Sequence, residues 1–148
     1  MSSGPIAMPV AKVSPAPTTT SCSPSVETRT TAEVGCGTGA AARVIAARLD
    51  TGHILAIDRS AKAVAQARSA SAAEIASGRM SVRQCAIEDF ESAPGEGPFD
   101  LVFAVRVGAL DGRHPEAGRK AMSRIAAAIA PGGRVFIDGG DPLREVPV

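Results

Sequence analysis

The sequence predicts an α/β fold, a doubly wound and mostly parallel sheet with helices on both faces. Three observations lead there. Strand and helix patterns alternate from about Ala32 onward, a glycine-rich loop "GCGTG" joins the first strand to the first helix, and 148 residues leave room for one domain. Alternation of this kind implies βαβ units with right-handed crossovers. Ligands of such sheets bind beyond the carboxyl ends of the strands, at the switch point, and the glycine loop lies there.

The elements follow in order. Residues 1 to 29, with "SPAPTTTSCSPSVETRTT", are rich in Ser, Thr and Pro and show no periodicity. They bury too little apolar surface to offset their ordering entropy, so a disordered extension is expected, a regulatory or phosphorylated tail being the competing reading. The domain proper is expected over 30–148. Its first strand, in "TRTTAEV", is poorly apolar. The helix after the glycine loop places Ala41, Val44, Ile45 and Leu49 on one apolar face, with Arg43 and Arg48 elsewhere. "HILAID", His53 to Asp58, is a buried-strand run opened by Thr51-Gly52. Ser60 is placed to cap a long helix through about Ser77, which Gly78 ends. "MSVRQCA" alternates as a strand, and "GEGP" precedes the apolar strand "FDLVFAV". A helix from about Glu116 sets Met122, Ile125 and Ile129 on one face and stops at "APGG", and "RVFID" forms the last strand.

Composition narrows the function classes. The chain is 45% hydrophobic and 21% charged with a formal net charge of +1, which gives no electrostatic reason to expect nucleic acid or an anionic membrane as partner. With four Phe and no Trp or Tyr, a base-stacking platform is not expected. Cys22, Cys36 and Cys85 are odd in number and share no metal-ligand spacing, so neither a disulfide framework nor a metal site is expected. No apolar run reaches membrane-spanning length, since Arg106 breaks "FDLVFAVRVGAL", and no signal peptide opens the chain. A cytoplasmic setting is the expectation.

The glycine loop holds the chemistry. Gly35, Gly37 and Gly39 can adopt positive φ and let backbone approach a ligand, and the next helix offers free N–H groups and the positive end of its dipole. A Walker-type phosphate loop is excluded, because no Gly-Lys-Ser/Thr follows. "GCGTGA" still satisfies the nicotinamide dinucleotide pattern G-x-G-x-x-A, with Asp58 near the expected spacing of about 20 residues. Asp58 suits ribose hydroxyls, its other reading being a turn residue that helps the Ser60 cap. Glu33 opposes a pyrophosphate and suits a ligand bearing an amino group and a sulfonium.

With these residues in view, "AEVGCGTG" resembles motif I of the class I S-adenosylmethionine (SAM)-dependent methyltransferases. "AIDRS" resembles their second motif, "AIEDF" their adenine-contacting segment, "FDLVFA" their fourth strand and "IAPGGRVFI" the approach to their fifth. The matches run in order over about Ala32 to Asp138. The resemblance implies a Rossmann-like sheet of strand order 3-2-1-4-5 and SAM as cofactor. It implies that Gly35, Cys36, Gly37 and Gly39 form the loop against the methionine and ribose, with Glu33 holding the methionine end. Asp58 would take the ribose hydroxyls, with Arg59 and Ser60 beside the adenine. Ile87 would offer backbone to the ring and Glu88 would reach its amine, although Ala86 stands where many relatives carry an acid. Ala104 and Val105 would sit near the transferred methyl.

No catalytic base is identified. His114 lies where relatives present substrate but also reads as a surface residue before a helix, and His53 is structural. Arg106 and Asp111 have two readings, contacts to an acceptor or solvated loop charges, and the second is the expectation. The resemblance implies a methyltransferase, and the lack of basic or aromatic features points to a small-molecule acceptor. A non-catalytic SAM-binding partner subunit and an NAD(P)-dependent oxidoreductase are the other readings, the latter opposed by Glu33 and by the lack of Tyr. Two departures suggest truncation at both ends. A Pro/Ser/Thr tail replaces the helices that cover the pocket in relatives, and the chain stops ten residues after "RVFID". The usual C-terminal hairpin is therefore expected to be missing, leaving "RVFID" an open edge through which a homodimer would form.

Overall fold

The computed structural model describes residues 30–49, 51–110, 112–138 and 143–148. The expectation for residues 1–29, like Asp111, lies outside the described residues. Six strands form one sheet of order β3-β2-β1-β4-β5-β6. They are β1 (Thr30–Val34), β2 (His53–Asp58), β3 (Met80–Gln84), β4 (Phe99–Ala104), β5 (Ile129–Asp138) and β6 (Leu143–Val146). The first five are parallel, and β6 runs antiparallel to β5. The helices are α1 (Ala40–Arg48), α2 (Ala61–Ala70), α3 (Ala72–Ala76) and α4 (Pro115–Ala128).

Alternation along each strand divides the core between the two faces of the sheet. On β2, Leu55 and Ile57 join Phe90, Phe99, Val102, Val135 and the α4 residues Ala121 and Ile125. Ile54 and Ala56 join Ala42 and Ala46 of α1, Val64 and Ala67 of α2, and Met80 and Val82 of β3. Helices therefore cover both faces, as the sequence predicts. β1 is the central strand between β2 and β4, so Thr31, Ala32, Glu33 and Val34 are all buried despite their mixed polarity. β-branched threonines suit this pleated surface.

Four details differ from the sequence reading. The expected open edge at β5 is wrong: one antiparallel strand, β6, forms a hairpin with β5 itself, from Val135↔Val146 to Asp138↔Leu143. Four residues suffice for this strand. Arg134 and Glu145 join its two strands by a two-point ion pair at 2.9 and 3.0 Å, while Val146 packs on the core. β5 is thus not an open edge, and the dimer expected through it loses its basis. Second, the long helix after Ser60 is broken at Ser71 (φ −112°, ψ 23°) into α2 and α3. Third, α1 turns Ala42 and Ala46 to the sheet, while Ala41 and Val44 are exposed. Small side chains win because α1 starts close to its neighbours: a Cβ on Gly39 would lie 3.2 Å from that of Ala67. Last, α4 ends at Ala128 and "APGG" already belongs to β5, with a register shift against β4.

Candidate functional site: a cleft at the carboxyl ends of the strands

The parallel strands point their carboxyl ends at one side of the sheet, where the connecting turns converge. β1 ends at Val34 and the chain turns at Gly35 (φ 77°), whose N–H donates to the Ile57 carbonyl at 2.8 Å, followed by that of Cys36 at 3.0 Å. A Cβ on Gly35 would stand 2.7 Å from Cγ2 of Val107, so the close approach of the loop after β4 requires glycine here. Gly37 (φ 55°) donates its N–H to Oδ2 of Asp58 at 2.9 Å, and a Cβ on it would meet open space. Gly39 precedes α1, whose first turn has no side-chain cap.

Asp58 closes β2 and ties two turns together. Its Oδ2 accepts from Gly37 and its Oδ1 accepts from the Ser60 N–H at 2.9 Å. Ser60 Oγ in turn accepts from Ala63 N–H at 3.1 Å and caps α2. The turn role foreseen for Asp58 is therefore present. It leaves further acceptor capacity on both oxygens, because an ionised carboxylate offers about four lone-pair sites.

Glu33 is buried behind the glycine loop, and its Oε1 has no hydrogen-bond partner among the described residues. Burial pushes its carboxyl up to about 7; the Ala42 N–H opposes that rise and the Asp58 charge adds to it. Cys36 sends its side chain into the core beside α1. Burial, helped by the charges of Glu33 and Asp58, pushes its thiol up to about 12, which makes it inert at neutral pH.

Five of the expected site residues, Gly35, Asp58, Arg59, Ile87 and Glu88, line one open cleft. Ile87 and Glu88 lie on a 3-10 turn after β3, and the Cys85 N–H holds this segment to the Asp58 carbonyl at 2.9 Å. Glu33, Cys36, Gly37, Gly39, Ser60, Ala104 and Val105 are not lining residues. Glu33 and Ala104 sit buried beneath the cleft on β1 and β4, Ala104 opposite Val34 and Ile137. Val34, Cys85, Ala86 and the segment Arg106 to Ala109 complete the wall. His114 borders an adjoining depression that shares Arg59, Glu88 and Ala109 with it. His53 bridges Gly78 and Ser81 through its two ring nitrogens, a structural role as expected.

The wall after β4 is the part that sequence reasoning missed. Arg106 carries φ 56°, a left-handed conformation that costs a non-glycine residue about 1–2 kcal/mol. Its N–H donates to the carboxylate of Asp138 at the end of β5, which pins the turn. The only sequence signal was the charge breaking an apolar run. Among the described residues no helix is long and apolar enough to cross a membrane, and no cluster of metal-ligating side chains occurs.

A family model described as a methyltransferase domain matches residues 32–133, the stretch from β1 into β5. The chain belongs to this family. Solved structures with the same fold as this methyltransferase domain include PKMT2 from Rickettsia typhi in complex with AdoHcy, with TM-score 0.65, 19% identity and coverage of 77% of this chain and 21% of that one. The O-MT region of StiE (residues 961–1257) aligns with TM-score 0.62 and 17% identity over 74% of this chain and 37% of that one. The [4+2]-cyclase SpnF aligns with TM-score 0.59 and 23% identity over 74% of this chain and 38% of that one. The methyltransferase domain thus spans between about a fifth and two fifths of these solved chains. No curated protein matches it.

Proposed function

We propose that this methyltransferase domain binds SAM in the cleft and passes its methyl group to a small-molecule acceptor. The observation that carries the reading is Glu33, a buried carboxyl whose Oε1 has no partner among the described residues, one strand residue before the glycine loop. An isolated buried carboxylate is costly, and an ammonium is the partner that would relieve it. The rest of the cleft fits the same ligand. Asp58 has acceptor capacity left for two ribose hydroxyls, the space over Gly37 is open, and Ile87 and Glu88 flank the far end. Bound there, the cofactor supplies an electrophilic methyl on a sulfonium.

The protein's own contribution is to bind and align. In-line displacement at a sulfonium disperses charge, so proximity and orientation can supply about 7–11 kcal/mol without a general base. That suits a cleft whose ionisable walls are Asp58, Arg59, Glu88 and Arg106, with Cys85 beside them, and none of these is set up as a base. The chain's near-neutral charge and scarcity of aromatics support a small-molecule acceptor over nucleic acid. A pyrophosphate is disfavoured by the Glu33 carboxyl behind the loop. A second reading, SAM binding without methyl transfer, is favoured by the likeness to a [4+2]-cyclase, since one fold hosts unrelated chemistries.

Incubation of the full chain with methyl-labelled SAM and a fractionated cell extract separates these readings. Label is expected in the small-molecule fraction. Label confined to protein or nucleic acid would overturn the acceptor class, and SAM binding with no label transferred would establish the non-catalytic reading.

A further inference from the structure

Arg106 lines the same cleft as Gly35 and Asp58, on the side formed by the turn after β4. It is exposed, and its guanidinium has no ion pair or hydrogen bond among the described residues. Its backbone is held in a conformation that glycine would adopt without strain, by donation of its N–H to the Asp138 carboxylate. A large cationic side chain at such a position points to use rather than economy.

The strand order assigns what that use is. Asp58 closes β2, Ile87 and Glu88 follow β3, and Glu33 lies on β1, next to β4. If the ribose lies at β2 and the base beyond β3, the amino-acid end of the cofactor lies toward β1 and β4. That end carries two charges. Glu33 answers the ammonium, and the carboxylate needs a cation. Among the described residues the cleft offers two, Arg59 and Arg106. Arg59 follows Asp58 at the ribose end, where its carbonyl accepts from Gln84 at 3.3 Å. Arg106 stands at the β4 end, beside Val107, which touches the glycine loop.

We propose that Arg106 binds the carboxylate of the cofactor's amino-acid moiety, so that Glu33 and Arg106 together form an amino-acid subsite. The inference rests on the reading of the cleft as a SAM site. The planar guanidinium matches a carboxylate through two parallel hydrogen bonds, which a lysine ammonium cannot reproduce.

Calorimetric titration of the full chain with two ligands tests it. S-adenosylhomocysteine (SAH) carries the amino-acid moiety, and 5′-methylthioadenosine keeps the nucleoside and thioether without it. Arg106→Gly keeps the positive φ and deletes the guanidinium, and Arg106→Lys retains a charge. The expected result is a loss of SAH affinity of about tenfold or more in Arg106→Gly, partly restored in Arg106→Lys. Methylthioadenosine affinity should stay unchanged in both. Unchanged SAH affinity in Arg106→Gly would overturn the proposal, as would equal losses for both ligands, which mark a structural role. A wild-type chain that binds neither ligand would instead remove the cofactor reading, and the inference with it.

Discussion

Glu33→Gln will make the protein more stable at pH 8 and abolish a pH dependence that the wild type shows. The Glu33 carboxyl titrates at about 7 in the folded state, against an ordinary 4.5, mainly because it is buried. The folded state therefore holds this proton more tightly than the unfolded chain. Stability contributed by the neutral carboxyl is fully present below about 4.5 and is lost as pH rises to about 7. The gap corresponds to about 3 kcal/mol, a large fraction of a small domain's stability. Glutamine has the same shape and no charge, so the variant should be flat over this window. Urea unfolding of both proteins at several pH values between 5 and 8 measures the difference. Parallel curves would show that Glu33 carries no such burden. The stabilised variant should also bind SAH more weakly, by about tenfold, because the neutral amide attracts the ammonium less than a carboxylate does.

Asp58→Ala is expected to lower both stability and SAH affinity. The substitution leaves the Gly37 and Ser60 N–H groups without their acceptor, so the two turns that frame the cleft loosen together. Hydrogen bonds to a charged group are worth about 1.5–3 kcal/mol each. The ribose hydroxyls would lose their partner as well. SAH affinity should fall about 100-fold, equivalent to about 3 kcal/mol, with a lowered melting temperature. Asp58→Asn, which keeps one carbonyl acceptor, should fall between the two proteins. SAH binding to Asp58→Ala within twofold of wild type would exclude the ribose role.

Much of this architecture is written in local pattern. "HILAID" became β2 with its boundaries intact, because a short apolar run closed by Thr-Gly before it and Asp after it admits little else. Glu33 and Asp58 stood out in the sequence as acids near a glycine loop, and the structure gives Asp58 the turn role that was its other reading, accepting from Gly37 and Ser60. What escaped detection depended on tertiary context. β6, "LREV", has four residues and only a weak alternation, and it becomes a strand because β5 offers an unpaired edge. The break at Ser71 lies between alanine-rich segments with similar propensities on either side. On α1 the larger Val44 gave way to Ala42 at the interface because the helix lies close to its neighbours, which periodicity alone does not encode. Arg106 was read as a loop charge, since its positive φ is imposed by Asp138 from a strand 32 residues away.

The central claim is that this cleft is built for a ligand carrying an adenosine and an amino-acid end. Parallel calorimetric titrations of the full chain with SAM, SAH and NAD test it most directly. The account predicts saturable binding of SAM and SAH, tightening as pH rises from 5.5 toward 7.5 while Glu33 gives up its proton, and no comparable response to NAD. Binding of NAD alone would contradict it.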